Sequence, residues 1–101
     1  MTLSEGLVRN LNGDVLYTWT DSPDFEDRDL CGADFRSSDL EGVWFAGALL
    51  NGADFGSAKL YGASFFDACL DDVNFADADL RGADLKGASM QRSCLRGANT
   101  D

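Results

Sequence analysis

The stretch from Val43 to Ala63 reads VWFAGALLNGADFGSAKLYGA and repeats a five-residue unit with almost no interruption. Its large apolar residues fall five apart, and a smaller residue precedes each of them by two positions. The large residues are Phe45, Leu50, Phe55 and Leu60, and the smaller ones are Val43, Ala48, Ala53 and Ala58. The same register continues from Phe25 to Leu95, so it organises most of the 101-residue chain.

This spacing excludes an α-helix, because positions five apart rotate by about 140° and scatter around the whole helix. In an extended segment Ala53 and Phe55 share a face, but Ala58 then falls on the wrong side unless the chain turns. Glycine often stands two residues after the large residue, where a turn needs conformational freedom. These glycines are Gly32, Gly42, Gly47, Gly52, Gly62, Gly82, Gly87 and Gly97. The pattern predicts a coil of short strands with an apolar interior.

The number of sides follows from the alternation of Phe and Leu, which gives the large residues a true period of ten. A three-sided coil stacks Phe45 over Leu60, whereas a four-sided coil stacks Phe45 over Phe65. Like-on-like stacking keeps successive layers the same size, as close packing favours. We therefore expect four sides and about four coils. One interior ladder is then Phe25, Phe45, Phe65 and Leu85, and the opposite one is Phe35, Phe55, Phe75 and Leu95.

Several repeat units resemble the pentapeptide-repeat family, whose consensus is Ala-(Asp/Asn)-Leu followed by two variable residues. They are Ala33-Asp34-Phe35, Ala53-Asp54-Phe55, Ala78-Asp79-Leu80 and Ala83-Asp84-Leu85-Lys86-Gly87. The register recurs some fifteen times between about Phe25 and Asp101. The resemblance implies an all-β fold, a right-handed quadrilateral β-helix, in agreement with the geometry above. It implies no particular function, because members of the family share a scaffold and few sites.

The N-terminal segment does not follow the five-residue register. Residues 7–19 read LVRNLNGDVLYTW, two β-prone runs joined by Asn12-Gly13, which tolerates the positive φ angles of a tight hairpin turn. We place strands near Leu7–Leu11 and Asp14–Trp19. An open first coil exposes apolar core and unpaired backbone groups, which a hairpin can cover. The sequence thus predicts a β-hairpin cap over residues 1–22 and a β-helix over residues 23–101.

Composition restricts the function. Eighteen Asp and Glu against eight Lys and Arg, with no His, give a formal charge of −10, which argues against nucleic-acid and membrane binding. No apolar run reaches the length of a membrane helix and no secretion signal is recognisable, so a cytoplasmic location is expected. The three widely spaced cysteines form neither a disulfide framework nor a metal motif. They are Cys31, Cys69 and Cys94.

Catalytic motifs are not recognisable in the sequence. It contains no His, no glycine-rich phosphate loop after a strand, and no Ser or Cys with a plausible base. The densest acidic cluster has the chemistry of a weak divalent-cation site, but it falls near turns, where Asp is common for backbone reasons. Its members are Asp67, Asp71, Asp72 and Asp77. We therefore predict a protein that is not an enzyme and uses no cofactor or metal.

Four apolar residues stand at outward positions, where other repeats carry polar side chains. They are Trp44, Leu49, Tyr61 and Phe66. On a four-sided coil Trp44 and Phe66 share one side, and the other two lie just around its corners. Clustered exposed aromatics commonly mark an interaction site, so these residues are candidates for binding a protein partner of unknown identity. In the alternative, the N-terminal hairpin folds down this side and buries them against Tyr17 or Trp19.

Two further interpretations stay open. Some pentapeptide-repeat proteins resemble B-form DNA and inhibit or protect type II topoisomerases, and acidic residues of the first coils provide a candidate surface. These are Asp24, Glu26, Asp27, Asp29, Asp34, Asp39, Glu41 and Asp54. Basic residues after Leu80 argue against a uniform phosphate mimic. The register also runs to Ala98 without a divergent segment that could act as a cap. A homodimer through this uncapped C-terminal end is therefore a second possible assembly.

Overall fold

The computed structural model describes residues 7–18 and 24–100. Parallel β-bridges join residues that are twenty positions apart, from Asp29 with Leu49 to Asp79 with Asn99. The bridges recur at every fifth residue, so each turn of twenty residues contains four short strands. The coil therefore has the four sides that the alternation of Phe and Leu predicted.

We number the sides by their outward-facing columns. Side 1 carries Trp44, Ser64 and Asp84; side 2 carries Leu49, Cys69 and Ser89; side 3 carries Asp54, Asn74 and Cys94; side 4 carries Lys59, Asp79 and Asn99. A β-turn at each corner joins one side to the next. Between sides 1 and 2, for example, the Ala48 N–H donates to the Phe45 carbonyl at 3.0 Å, with Gly47 at φ +71°. All eight glycines that the spacing assigned to turns have positive φ, as predicted.

The interior consists of stacked rings and aliphatic side chains in the predicted ladders. The fully buried large residues of the coil are Phe25, Phe35, Phe45, Phe55, Phe65, Phe75, Leu30, Leu40, Leu50, Leu60 and Leu70. Leu95 keeps the ladder register of Phe75, but 44% of it is exposed, in contrast to the buried residues of the preceding coils. Leu85 is only partly buried, because no described coil stacks over the last one. Arg28, which breaks the small-residue pattern, is exposed.

The N-terminal segment forms an antiparallel hairpin of β1 (Leu7–Arg9) and β2 (Val15–Thr18). Both strands are shorter than expected, because the register shifts after Val8 and the Asn10 side chain closes the loop. Its Oδ1 accepts the N–H groups of residues 12 and 14, at 2.9 Å each. Gly13 has φ +91°, in line with the predicted turn. Trp19, the predicted end of the second strand, lies outside the described residues.

The hairpin contacts the first coil at residues 32–34. The Asp34 N–H donates to the Arg9 carbonyl at 2.7 Å, and the Leu11 N–H donates to the Gly32 carbonyl at 3.1 Å. One coil further on, the equivalent N–H of Asp54 donates to the carbonyl of a preceding coil, that of Ala33. The Arg9 carbonyl thus accepts from the first coil the hydrogen bond that, in later coils, is accepted by a carbonyl of the preceding coil. No helix among the described residues is long and apolar enough to cross a membrane.

Candidate partner-binding surface

The four apolar residues predicted as a site are exposed around side 1. The exposed fractions are 60% for Trp44, 46% for Leu49, 53% for Tyr61 and 41% for Phe66. Trp44 lies at the centre of side 1 and Leu49 on side 2, as expected. Phe66 differs from the prediction, because it lies in the turn between sides 1 and 2 and not on side 1 itself. Tyr61 occupies the turn between sides 4 and 1.

Small residues separate the two aromatics at the centre of this surface. Trp44 is bridged to Ser64 in the next coil, and the Gly47 N–H donates to the Phe66 carbonyl at 2.8 Å. Ala46 therefore lies one coil before Phe66 in the same column. Trp44 and Phe66 are diagonal neighbours, each beside a small residue of the adjacent coil, which leaves ring surface available to a ligand.

A recess opens at the corner between sides 1 and 2. Its volume is about 310 Å³, and it is lined by Glu26, Asp27, Ala46, Gly47, Phe66 and Asp67. The period of twenty residues per coil explains why these residues line the recess together. It aligns residues 26–27, 46–47 and 66–67 in three successive coils. The middle pair is small, so it forms a floor between larger flanking pairs. The Asp27 carboxylate leans over Gly47, into space that a β-carbon would occupy.

The carboxylates of the recess make no ion pair with any residue that the structure describes. The recorded pairs join Arg36 to Asp34 at 2.9 Å, Arg81 to Asp79 at 2.7 Å, and Arg92 to Asp72 at 2.7 Å. Among the described residues, none of those that line the recess is basic. The recess is therefore lined by three acidic residues and by Phe66, and Asp27 is the one whose carboxylate leans over its floor.

Tyr61 is already engaged by a cation of the same chain. The Arg81 guanidinium carbon lies 5.4 Å from the centroid of the Tyr61 ring, a cation–π geometry. The same guanidinium donates to both carboxylate oxygens of Asp79, at 2.9 and 2.7 Å. This bidentate hydrogen bonding lowers the pKa of Asp79 from 3.8 to about 2. Tyr61 thus offers a partner less free ring surface than Trp44.

The acidic cluster considered for a cation is dispersed over three corners. Asp67 lies between sides 1 and 2, Asp71 and Asp72 lie between sides 2 and 3, and Asp77 lies between sides 3 and 4. Asp71 accepts the Ser89 hydroxyl at 2.6 Å, a hydrogen bond that lowers the pKa of its carboxyl. Within residues 7–18 and 24–100, no group of three or more acidic or thiol side chains is arranged to hold a metal ion. Cys31, Cys69 and Cys94 are free thiols.

The backbone hydrogen bonds between the hairpin and the coil lie away from side 1. They involve residues 32–34, at the corner of sides 2 and 3 and on side 3, which is opposite side 1. Trp44 is exposed, so its predicted alternative burial under the hairpin is not observed. The side chain of Tyr17 and all of Trp19, which that alternative invoked, lie outside the described part of the structure.

The family model for pentapeptide repeats, which comprises eight copies, matches residues 24–52, 33–77 and 65–99. The chain belongs to the pentapeptide-repeat family. Comparison with curated protein sequences gave no significant match. The family assignment confirms the resemblance carried by the Ala-Asp-Phe and Ala-Asp-Leu units.

Solved structures agree with this assignment. A pentapeptide-repeat protein from the Arabidopsis thaliana thylakoid lumen is 42% identical over 76% of this chain and 53% of its own, with a TM-score of 0.76. HetL from the cyanobacterium Nostoc, a pentapeptide-repeat protein involved in regulating heterocyst differentiation, is 35% identical over 73% of this chain and 35% of its own, with a TM-score of 0.72. This pentapeptide-repeat chain spans about half the length of the first and about a third of the second. Both support the right-handed quadrilateral β-helix.

Proposed function

We propose that this pentapeptide-repeat protein is a non-enzymatic binding module whose protein partner docks on Trp44, Leu49, Tyr61 and Phe66. The observation that carries the proposal is the 60% exposure of Trp44 at the centre of side 1. Aromatic side chains provide most of the binding energy at many interfaces, because they bury large areas with few rotatable bonds. Contiguous exposed apolar patches are uncommon on soluble monomers unless they serve an interaction.

The rigidity of the coil supports the same proposal. Trp44 is bridged to Ser64, and its carbonyl accepts the Phe25 N–H at 3.1 Å. The following residue, Phe45, is fully buried between stacked rings. A surface whose backbone is fixed in this way loses little conformational entropy on binding. Side 1 is therefore a preorganised platform for its exposed aromatic residues.

A capture experiment tests the proposal. Immobilised wild-type protein, a Trp44→Ser/Phe66→Ser variant and a Lys59→Ser/Arg96→Ser control are compared for the proteins they retain. The control residues are exposed and lie outside side 1, with Lys59 on side 4 and Arg96 at the corner between sides 3 and 4. We expect the aromatic variant to lose a protein that wild type and control both retain, with an unchanged melting temperature. Identical retention by all three proteins would contradict the proposal, and a large loss of stability would assign Trp44 and Phe66 a structural role.

DNA mimicry with a type II topoisomerase as target is the alternative. The net charge of −10 and the acidic first coils favour it. The long dimension of 32 Å matches only about nine base pairs at 3.4 Å per step. Arginines also neutralise the carboxylates of Asp34, Asp72 and Asp79. A supercoiling assay with micromolar protein separates the two functions, since the aromatic-surface proposal predicts no effect.

We further infer that the hairpin caps a rod of about four coils, with the boundary near residue 22. Val8 supports this role because it is buried against the core, and Arg9 provides a backbone acceptor for the first coil. Removal of residues 1–22 is expected to lower the melting temperature while the far-UV spectrum stays β-rich. A homodimer is an alternative partner, since Leu95 is exposed in the last described coil. Light scattering over a range of concentrations tests for it.

A further inference from the structure

We propose that the recess between sides 1 and 2 receives an arginine side chain of the protein partner. This inference rests on the proposed function and names the chemistry of the partner at that same surface. The recess is open to solvent next to Trp44, and its floor consists of Ala46 and Gly47. At about 310 Å³ it is near the lower limit of ligand pockets, so it suits a single side chain better than a large ligand.

Charge complementarity selects a cationic group. Glu26, Asp27 and Asp67 line the recess, and none of them forms an ion pair within residues 7–18 and 24–100. The Asp27 carboxylate leans over Gly47 at the floor, whereas the Asp67 carboxylate leans over Gly87 in the following coil. A cation that enters the recess meets the negative charge of Glu26 and Asp27 at one wall, and an acidic group is repelled.

The ring of Phe66 favours arginine over lysine. A guanidinium is planar, so it stacks on an aromatic face while it donates two parallel hydrogen bonds to a carboxylate. The chain itself contains this arrangement: Arg81 lies 5.4 Å from the Tyr61 ring centroid and donates to both oxygens of Asp79. The recess presents the same two acceptor types, an aromatic face and carboxylates, with no described cation in place.

Trp44 sets a second requirement on the partner. Residues 44 and 46 stand two positions apart in the chain, so at most about 7 Å separates them, although Ala46 begins the turn to side 2. An extended partner that places its arginine over Ala46 therefore brings the residue two positions away over Trp44. That residue is apolar, because it packs on an exposed indole. The partner motif is thus an arginine and an apolar residue separated by one residue.

The probe is a short fluorescent peptide with the sequence Gly-Ser-Arg-Ser-Leu-Ser-Gly, and binding is followed by fluorescence polarisation. Two further peptides replace the arginine by lysine or by citrulline, the uncharged isostere of arginine. We expect citrulline to weaken binding by at least about tenfold and lysine to weaken it less, with affinity falling as salt is added. Equal affinity for arginine and citrulline, equal affinity for arginine and lysine, or no binding of the arginine peptide overturns the inference.

Protein variants locate the site. Glu26→Gln/Asp27→Asn removes two charges from one wall of the recess, and we expect a loss of affinity of at least about tenfold. Asp39→Asn/Asp77→Asn is the matched control: it removes the same charge, and Asp77 leans over Gly97 in the way that Asp27 leans over Gly47. Equal losses in both variants indicate a nonspecific charge effect and overturn the inference. If Trp44→Ser abolishes binding but the recess variant does not, the aromatic surface stands and the arginine site is wrong.

Discussion

Phe45 and Phe65 stack with their ring centroids 5.0 Å apart and their planes within 4° of parallel. Across the interior, Phe45 meets Phe55 edge to face, with centroids 5.5 Å apart and planes at 89°. The stacking distance is close to the spacing of about 4.8 Å between bridged strands. Backbone pairing and ring stacking therefore require the same rise per coil. Each offset or edge-to-face pair adds about 0.5–1.5 kcal/mol to the stabilisation that comes from burial.

Phe55→Ala is expected to destabilise the protein by about 3–5 kcal/mol, because it leaves a cavity in the middle of the interior. The ring of Phe55 stacks on Phe35 at 4.9 Å and on Phe75 at 5.2 Å, so both contacts are lost. Chemical denaturation measures the change in the free energy of unfolding. Phe55→Leu keeps most of the volume and should cost clearly less. Equal losses for the two variants would contradict the ladder arrangement.

Ala53→Leu tests the small interior positions. Ala53 is 1% exposed, and the added side chain has to enter a close-packed layer. We expect a loss of about 1–3 kcal/mol from overpacking. Lys59→Leu, at an exposed outward position on side 4, is the comparison for a leucine placed outside the interior. A wild-type melting temperature for Ala53→Leu would show that the assigned register is wrong.

Ser38→Ala is expected to stabilise the protein, by about 1 kcal/mol. Ser38 occupies a small interior position, is completely buried, and its hydroxyl has no hydrogen-bond partner among residues 7–18 and 24–100. Removal of the hydroxyl relieves the cost of desolvating it. Ser93→Ala is the control, because the Ser93 hydroxyl donates to the Leu70 carbonyl at 2.5 Å. Thermal melts should shift in opposite directions, and a destabilised Ser38→Ala variant would be inconsistent with an unsatisfied hydroxyl.

The interior could be predicted because its residues follow one spacing. The five-residue spacing predicted which residues point inward, and the alternation of Phe and Leu predicted four sides. The stacked rings twenty residues apart confirm both predictions. The hairpin boundaries could not be predicted, because Asn10 closes the loop with its side chain and the register shifts after Val8. The burial predicted for Leu95 failed because burial depends on a neighbouring coil, which spacing alone does not guarantee.

The exposed residues of side 1 were predicted from their polarity, but the recess was not. The recess exists because larger side chains stand twenty residues before and after the small residues Ala46 and Gly47. A single five-residue repeat does not show this relationship. Writing the sequence in rows of twenty aligns Glu26 with Ala46 and Phe66. Small residues then appear between acidic and aromatic ones. That alignment is the sequence signal that would have found the recess.

Arg81→Gln is expected to raise the pKa of Asp79 from about 2 toward 3.8, because it removes the bidentate hydrogen bonds and the positive charge. A carboxyl whose pKa is lowered by folding contributes stability above its pKa in the unfolded chain, and this is lost as the pH falls to about 2. The variant should therefore lose less stability than wild type between about pH 4 and pH 2. Carboxyl titration by NMR measures the pKa directly. An unchanged value for Asp79 would contradict the ion pair.

Gly47→Ala and Gly42→Ala form a matched pair, since both glycines have φ +71°. Gly42 has open space where a β-carbon would stand, whereas Gly47 has the Asp27 carboxylate there. Gly42→Ala should cost about 1–2 kcal/mol, the ordinary penalty of a left-handed backbone for alanine. Gly47→Ala should cost more, because the carboxylate has to move as well. In an Asp27→Ala background the two substitutions should cost the same, and chemical denaturation of the set measures the difference. If Gly47→Ala costs no more than Gly42→Ala with Asp27 present, the carboxylate does not occupy this position, and the acidic wall of the recess is wrongly placed.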